Sequence, residues 1–174
     1  GNRAQAAVDQ VIAGLREAIR FDRRILVEDG VVGAREIEIA VLGNRNPRAS
    51  VAGEIIPSNE FYDYRAKYVD GKSDVRIPAR ISKKLSGQLR GFALRAFLAI
   101  DAAGMVRVDF LLSGDGRHAY INEINTIPGF TPISMYAKLW KNSGVPFSRL
   151  LDRLIALARE RHKETRSLVR TPSP

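Results

Sequence analysis

Residues 105–125 read MVRVDFLLSGDGRHAYINEIN. Two apolar runs flank a glycine-containing centre, which predicts a β-hairpin. Successive side chains of a strand point to opposite faces. Arg107 and Asp109 therefore share a face of the first strand, and Glu123 and Asn125 share a face of the second. Pro128 and Gly129 follow closely and predict a Pro-Gly turn. A strand built only for packing has no use for a carboxylate and an amide at its end.

Whether the two polar faces coincide depends on the loop. A four-residue loop, 113–116, places Asp109 opposite Tyr120 and turns Glu123 away. A three-residue loop, Gly114-Asp115-Gly116, places Asp109 opposite Ile121 and Arg107 opposite Glu123, with all four polar groups on one side. Such loops favour glycine at a left-handed position, which Gly116 supplies. The reading therefore predicts that loop, or a bulge of equal parity. Asp109, Glu123 and Asn125 would then offer hard oxygens, the set that holds Mg²⁺ when phosphates complete its shell. Arg107 beside them suits a developing oxyanion or a phosphoryl group. The plainer alternative is a cross-strand Arg–Glu ion pair, worth about 0.2–1 kcal/mol.

Composition narrows the chemistry. The 174 residues are 45% hydrophobic and 27% charged, which suits one or two small globular domains. Without cysteine there is no disulfide and no thiolate metal site, and two histidines make an imidazole-rich zinc site a poor fit. The formal charge of +9 points to an anionic partner, either a nucleotide or, in a reading of another class, nucleic acid bound by a non-catalytic basic module. The basic residues gather in the C-terminal helix and tail, where a solvated helix face explains them. No apolar run approaches a membrane span and no signal peptide opens the chain, so a cytoplasmic protein without membrane contact is expected. The chain opens at Gly1 and enters a helical pattern almost at once, which reads as part of a longer protein.

Outward from the hairpin, apolar spacing predicts helices over about 4–20, 82–101, 132–143 and 147–164. RILVE (24–28) reads as a short buried strand. REIEIAVLG (35–43) reads as a strand with Ile37, Ile39 and Val41 on one face and Glu36 and Glu38 on the other. SVAGEIIP (50–57) reads as a further strand, and 58–74 as a long aromatic-rich loop of the kind that carries function. The fold class is α+β, with hairpins and helices rather than repeated βαβ units.

Three segments together resemble the C-terminal part of the D-alanine–D-alanine ligases, which are ATP-grasp enzymes. They are EDGVVGAREIEIAVLGN (28–44), FYDYRAKY (61–68), and RVDF (107–110) with INEINTIPGFTPISMYAKLW (121–140). The resemblance covers nearly the whole chain. It implies an ATP-grasp fold of antiparallel sheets flanked by helices. Residues 1–36 would finish a central subdomain, 37–166 would form the C-terminal domain, and 167–174 a loose tail. It implies ATP and two Mg²⁺ ions, with Mn²⁺ as a substitute, held by Asp109, Glu123 and Asn125. Arg107 and the Gly129 N–H would stabilise a tetrahedral intermediate. Ser134 would bind the carboxylate of a second D-alanine. Lys67 would reach the phosphates from a closing loop that Tyr68 helps to lock. Glu28 and the backbone near Val31 would line the adenine pocket, and Glu36 would hold the ribose. A homodimer with D-alanine and ATP as substrates and no nucleic acid is implied, as is a place in peptidoglycan precursor synthesis. Another carboxylate–amine ligase of the superfamily, or a D-alanine–D-lactate ligase, is the alternative.

The sequence departs from the family pattern in two ways. The stretch between Asp109 and Glu123 is one residue longer, which requires the odd loop or bulge. The family's first-substrate domain and glycine-rich phosphate loop have no counterpart in these residues.

Overall fold

A computed structural model describes residues 2–56 and 74–168. The chain divides into two compact units, residues 1–31 and 32–174. The first contains helix α1 (Asn2–Ala18), whose Val8, Val11, Ile12 and Leu15 recur at helical spacing and stand exposed. The expected strand at 24–28 does not form, and Leu26 and Val27 are exposed. A strand exists only through ladder partners. Among the described residues of this unit there is no strand to supply them.

The second unit is built on strands β1 (Arg35–Gly43), β2 (Arg48–Ala49), β3 (Gly53–Ile56), β4 (Asp74–Arg76), β5 (Gly104–Leu112) and β6 (Ala119–Asn125). Its helices are α2 (Lys83–Ala99), α3 (Met135–Asn142) and α4 (Phe147–Ser167). The sheet runs in the order β4-β3-β1-β5-β6, with β2 paired to β1, and every pairing is antiparallel. Sequence reading missed the short β2 and β4. The 58–74 loop lies outside the described residues except for Asp74, which opens β4.

The period of two in β1 and β5 decides what each face does. Ile37, Ile39 and Val41 with Val106, Val108, Phe110 and Leu112 pack against Leu89, Ala93 and Phe97 of α2. Ser82 starts that helix by accepting the Leu85 N–H on its Oγ at 3.1 Å. The opposite face divides along the strands. Ala40 and Leu42 meet Tyr136, Leu139 and Trp140 of α3 and Leu150 of α4 in a second core. Gly53 lies under α3, where an added Cβ would stand 2.5 Å from the Met135 Cε and 2.8 Å from the Leu139 Cδ2. Further along the same face the residues turn polar: Glu36, Glu38, Arg107 and Asp109.

The β5–β6 hairpin corrects the expected loop. Ser113 donates its N–H to the His118 carbonyl at 2.8 Å, closing a four-residue loop, 114–117. Turn chemistry explains the choice. Asp115 accepts the Arg117 N–H at 3.0 Å, and the Ser113 Oγ accepts the His118 N–H at 3.0 Å. Gly116 is left-handed, φ 69°, as expected. Such a loop alone would turn Glu123 to the wrong face. A bulge prevents that. Ile121 pairs with Phe110 and Glu123 with Asp109, so Asn122 is the extra residue.

Candidate active site

Register places Glu38, Asp109 and Glu123 in one row across three strands, with Gly53 continuing it on β3. Ala40, Arg107 and Asn125 form the next row. Directly opposed residues of antiparallel strands share a face. Three carboxylates and one amide therefore project from one side of the sheet, with Arg107 between them. Like charges opposed across strands destabilise a sheet. The Arg107 guanidinium offsets that. Its Nε and Nη2 donate to the two oxygens of Asp109 at 2.7 Å each. Its Nε is 3.1 Å from the Glu38 carboxylate, and its Nη2 is 3.6 Å from that of Glu123.

Burial grades the row. Asp109 and Glu38 are 0% and 1% exposed and Arg107 is 8% exposed, whereas the Glu123 side chain is 51% exposed. The site is walled on the β1 side and open on the β6 side. Oxygens of Glu36, Glu38 and Asp109 lie within 4.8 Å of one another. One guanidinium among four carboxylates leaves the cluster strongly negative. At about 4 Å, two unit charges interact by about 4 kcal/mol at an effective dielectric near 20. The donors are all hard oxygens, which fits a cation of the Mg²⁺ class and not a soft one.

Asn125 marks the end of β6. Its side-chain oxygen accepts the Ile127 N–H at 3.1 Å, so the reversal is an Asn-headed bend at 126–127 and not the expected Pro-Gly turn. Gly129 is exposed, has no positive φ, and an added Cβ there would meet nothing within 4 Å. Neither backbone conformation nor packing within the described residues asks for a glycine at that position. Ser134 caps α3: its Oγ accepts the Ala137 N–H at 3.4 Å and donates to the Thr131 carbonyl at 2.8 Å.

The structure thus brings Arg107, Asp109, Glu123 and Asn125 together, with Glu36 on the same face. Glu28 and Val31 lie in the first unit, in chain without regular structure. Lys67 and Tyr68 fall outside the described residues. Glu38 was read from sequence only as one of two acids on the outer face of a strand. The signal for more was its spacing from Glu36, but only the adjacency of β1 and β5 turns that spacing into a site.

An antiparallel sheet with helices on both faces, carrying an acidic row on a β-hairpin, is the architecture of an ATP-grasp C-terminal domain. The family model described as D-ala D-ala ligase C-terminus matches residues 1–156. A D-alanine–D-alanine ligase of Geobacillus thermodenitrificans is 51% identical over 163 residues, covering 94% of this chain and 44% of that protein. One from a Thermoanaerobacter species is 54% identical over 157 residues, covering 90% and 44%. Among solved structures, the D-alanine–D-alanine ligase of Coxiella burnetii superposes with a TM-score of 0.81 at 40% identity, over 93% of this chain and 42% of its own. The D-Ala:D-Ser ligase VanG of Enterococcus faecalis gives 0.65 at 36% identity, over 75% and 37%. The chain belongs to the D-alanine–D-alanine ligase family. It spans less than half the length of these relatives.

Proposed function

We propose that this chain supplies the metal- and phosphate-binding half of an enzyme that joins two D-alanines at the expense of ATP, making a peptidoglycan precursor. The observation that carries the reading is the row Glu38–Asp109–Glu123 with Arg107 set into it, on a chain of this family. A carboxylate is a poor electrophile, and bringing it to ATP sets two anions against each other. Asp109, Glu123 and Asn125 would hold two Mg²⁺ ions, which when bound neutralise charge on the triphosphate. Arg107 adds a cation already positioned beside the acidic row, because its Nε and Nη2 both donate to Asp109.

The first D-alanine would take the γ-phosphoryl group of ATP to become an acyl phosphate, leaving ADP, and the amine of the second would then attack its carbonyl carbon, with inorganic phosphate expelled and the amine proton lost as the amide forms. The tetrahedral oxyanion of that step would lie between Arg107 and the Gly129 N–H. A glycine that nothing around it requires supports close approach by a substrate there. Ser134 would orient the incoming carboxylate from the start of α3 by turning its hydroxyl proton from the Thr131 carbonyl to that carboxylate, while its Oγ goes on accepting the Ala137 N–H. Glu36 would take the ribose hydroxyls, with Glu28 and Val31 beside the adenine. Lys67 and Tyr68, assigned by motif alone, would close over the phosphates and keep water from the acyl phosphate. The enzyme would work in the cytoplasm as a homodimer. Among the described residues no helix is long and apolar enough to cross a membrane.

The test is to incubate the whole protein with ATP, Mg²⁺ and D-alanine and follow phosphate release and dipeptide together. Stoichiometric D-alanyl-D-alanine is expected, and phosphate release without dipeptide would refute the reading. D-Serine and D-lactate offered as competing acceptors decide the second substrate, which the likeness to a D-Ala:D-Ser ligase makes worth measuring.

A further inference from the structure

Glu38 has no part in the reaction as derived above, yet it is the most enclosed acid of the row after Asp109, at 1% exposed. It stands directly opposite Asp109 across β1 and β5. Burying a carboxylate costs several kcal/mol unless it is paired. An acid kept in that position must therefore meet a cation. The Arg107 Nε–H lies within reach of two of them, 2.7 Å from Asp109 and 3.1 Å from Glu38.

That sharing has a consequence. Asp109 accepts from Arg107 on both of its oxygens. Asp109 would turn at least one of those oxygens toward a divalent ion held there, since such ions take oxygen ligands. Its hydrogen bond to the guanidinium would then weaken when the position of Arg107 over the site matters most. We propose that Glu38 is the positioning residue that takes over the Arg107 Nε–H as Asp109 turns to the metal. The guanidinium then stays in place while its first partner changes role. Glu38 touches no substrate in this account and acts only through Arg107. The inference rests on the ligase reading above.

The test is E38Q in the whole protein, which keeps the size of the side chain and removes its charge. The expected result is a kcat lowered about tenfold or more, with KM for ATP within twofold of wild type. That split marks an interaction needed in the transition state. Without substrates, the Arg107 Nε–H resonance should stay protected on Mg²⁺ addition in wild type and lose protection in E38Q. In a double-mutant cycle with R107K, E38Q should add nothing further to the loss, since both changes disable one unit. If E38Q misfolds, E38D replaces it, with a smaller loss of kcat in the same pattern. Wild-type kcat in a folded variant would overturn the proposal. So would full additivity in the cycle. A wild-type protein that makes no dipeptide would instead defeat the ligase reading.

Discussion

Asp109 and Glu123 stand directly opposite each other across β5 and β6, and they do so because Asn122 is bulged out of the ladder between them. Two neighbouring strands thus aim carboxylates at one point, one buried and one half exposed. Glu123→Gln should reduce turnover by two orders of magnitude or more and leave the melting temperature within a few degrees, since the side chain is surface-accessible. Steady-state kinetics beside calorimetry measure both. A wild-type rate would remove Glu123 from the metal site.

The bulge makes a sharper prediction. Deleting Asn122 removes the extra residue, leaving a straight ladder in which Glu123 still faces Asp109. The variant should fold and retain turnover within about tenfold of wild type. A folded variant that no longer binds Mn²⁺ would show that the bulge does more than correct the register.

This pair also shows how far the sequence was legible. Period-two alternation located β1, β5 and β6, because one face of β1 and of β5 is apolar along its length and acids mark part of the other. The loop length was misread, since Ser113 and Asp115 form side-chain hydrogen bonds that favour a four-residue turn over a three-residue one. Glu123 nevertheless shares a face with Asp109 as expected, because a bulge and an odd loop have the same effect on which side a residue faces. Strand 24–28 failed for a different reason: apolar residues propose a strand, and pairing makes one. Glu38 was hidden because sequence gives no strand order, and a buried acid and a solvated one look alike until the neighbouring strand is known.

Ser134 has two assigned tasks that substitutions can separate. Ser134→Ala removes the cap of α3, costing about 1 kcal/mol. Ser134→Asn restores a capping side chain without the hydroxyl. Both variants should raise KM for the second D-alanine several-fold, and only the alanine should lower the melting temperature. A normal KM in both would leave Ser134 as a cap alone.

On the α2 side of the sheet, Glu54 is 6% exposed, accepts from the Arg35 Nε at 2.7 Å, and has Arg76 at 3.7 Å. The hydrogen bond from Arg35 is the main cause that holds its carboxyl below the usual range, against the opposing effect of burial. A carboxylate with a lowered folded pKa stabilises above its unfolded pKa, about 4.3 for glutamate, and the benefit fades as pH falls through the folded value. Glu54→Gln should therefore destabilise by about 1.5–3 kcal/mol at pH 7, in the range for hydrogen bonds to charged groups. The gap from wild type should narrow steadily below pH 4. Melting curves from pH 7 to pH 2.5 test this, and a gap independent of pH would contradict it.

The most direct measurement is anomalous X-ray scattering at the manganese edge from crystals of the whole protein with Mn²⁺ and a non-hydrolysable ATP analogue. The account predicts density between Asp109 and Glu123, with oxygens of both and of Asn125 in coordination range. Ordered nucleotide with no manganese between those two carboxylates would contradict it.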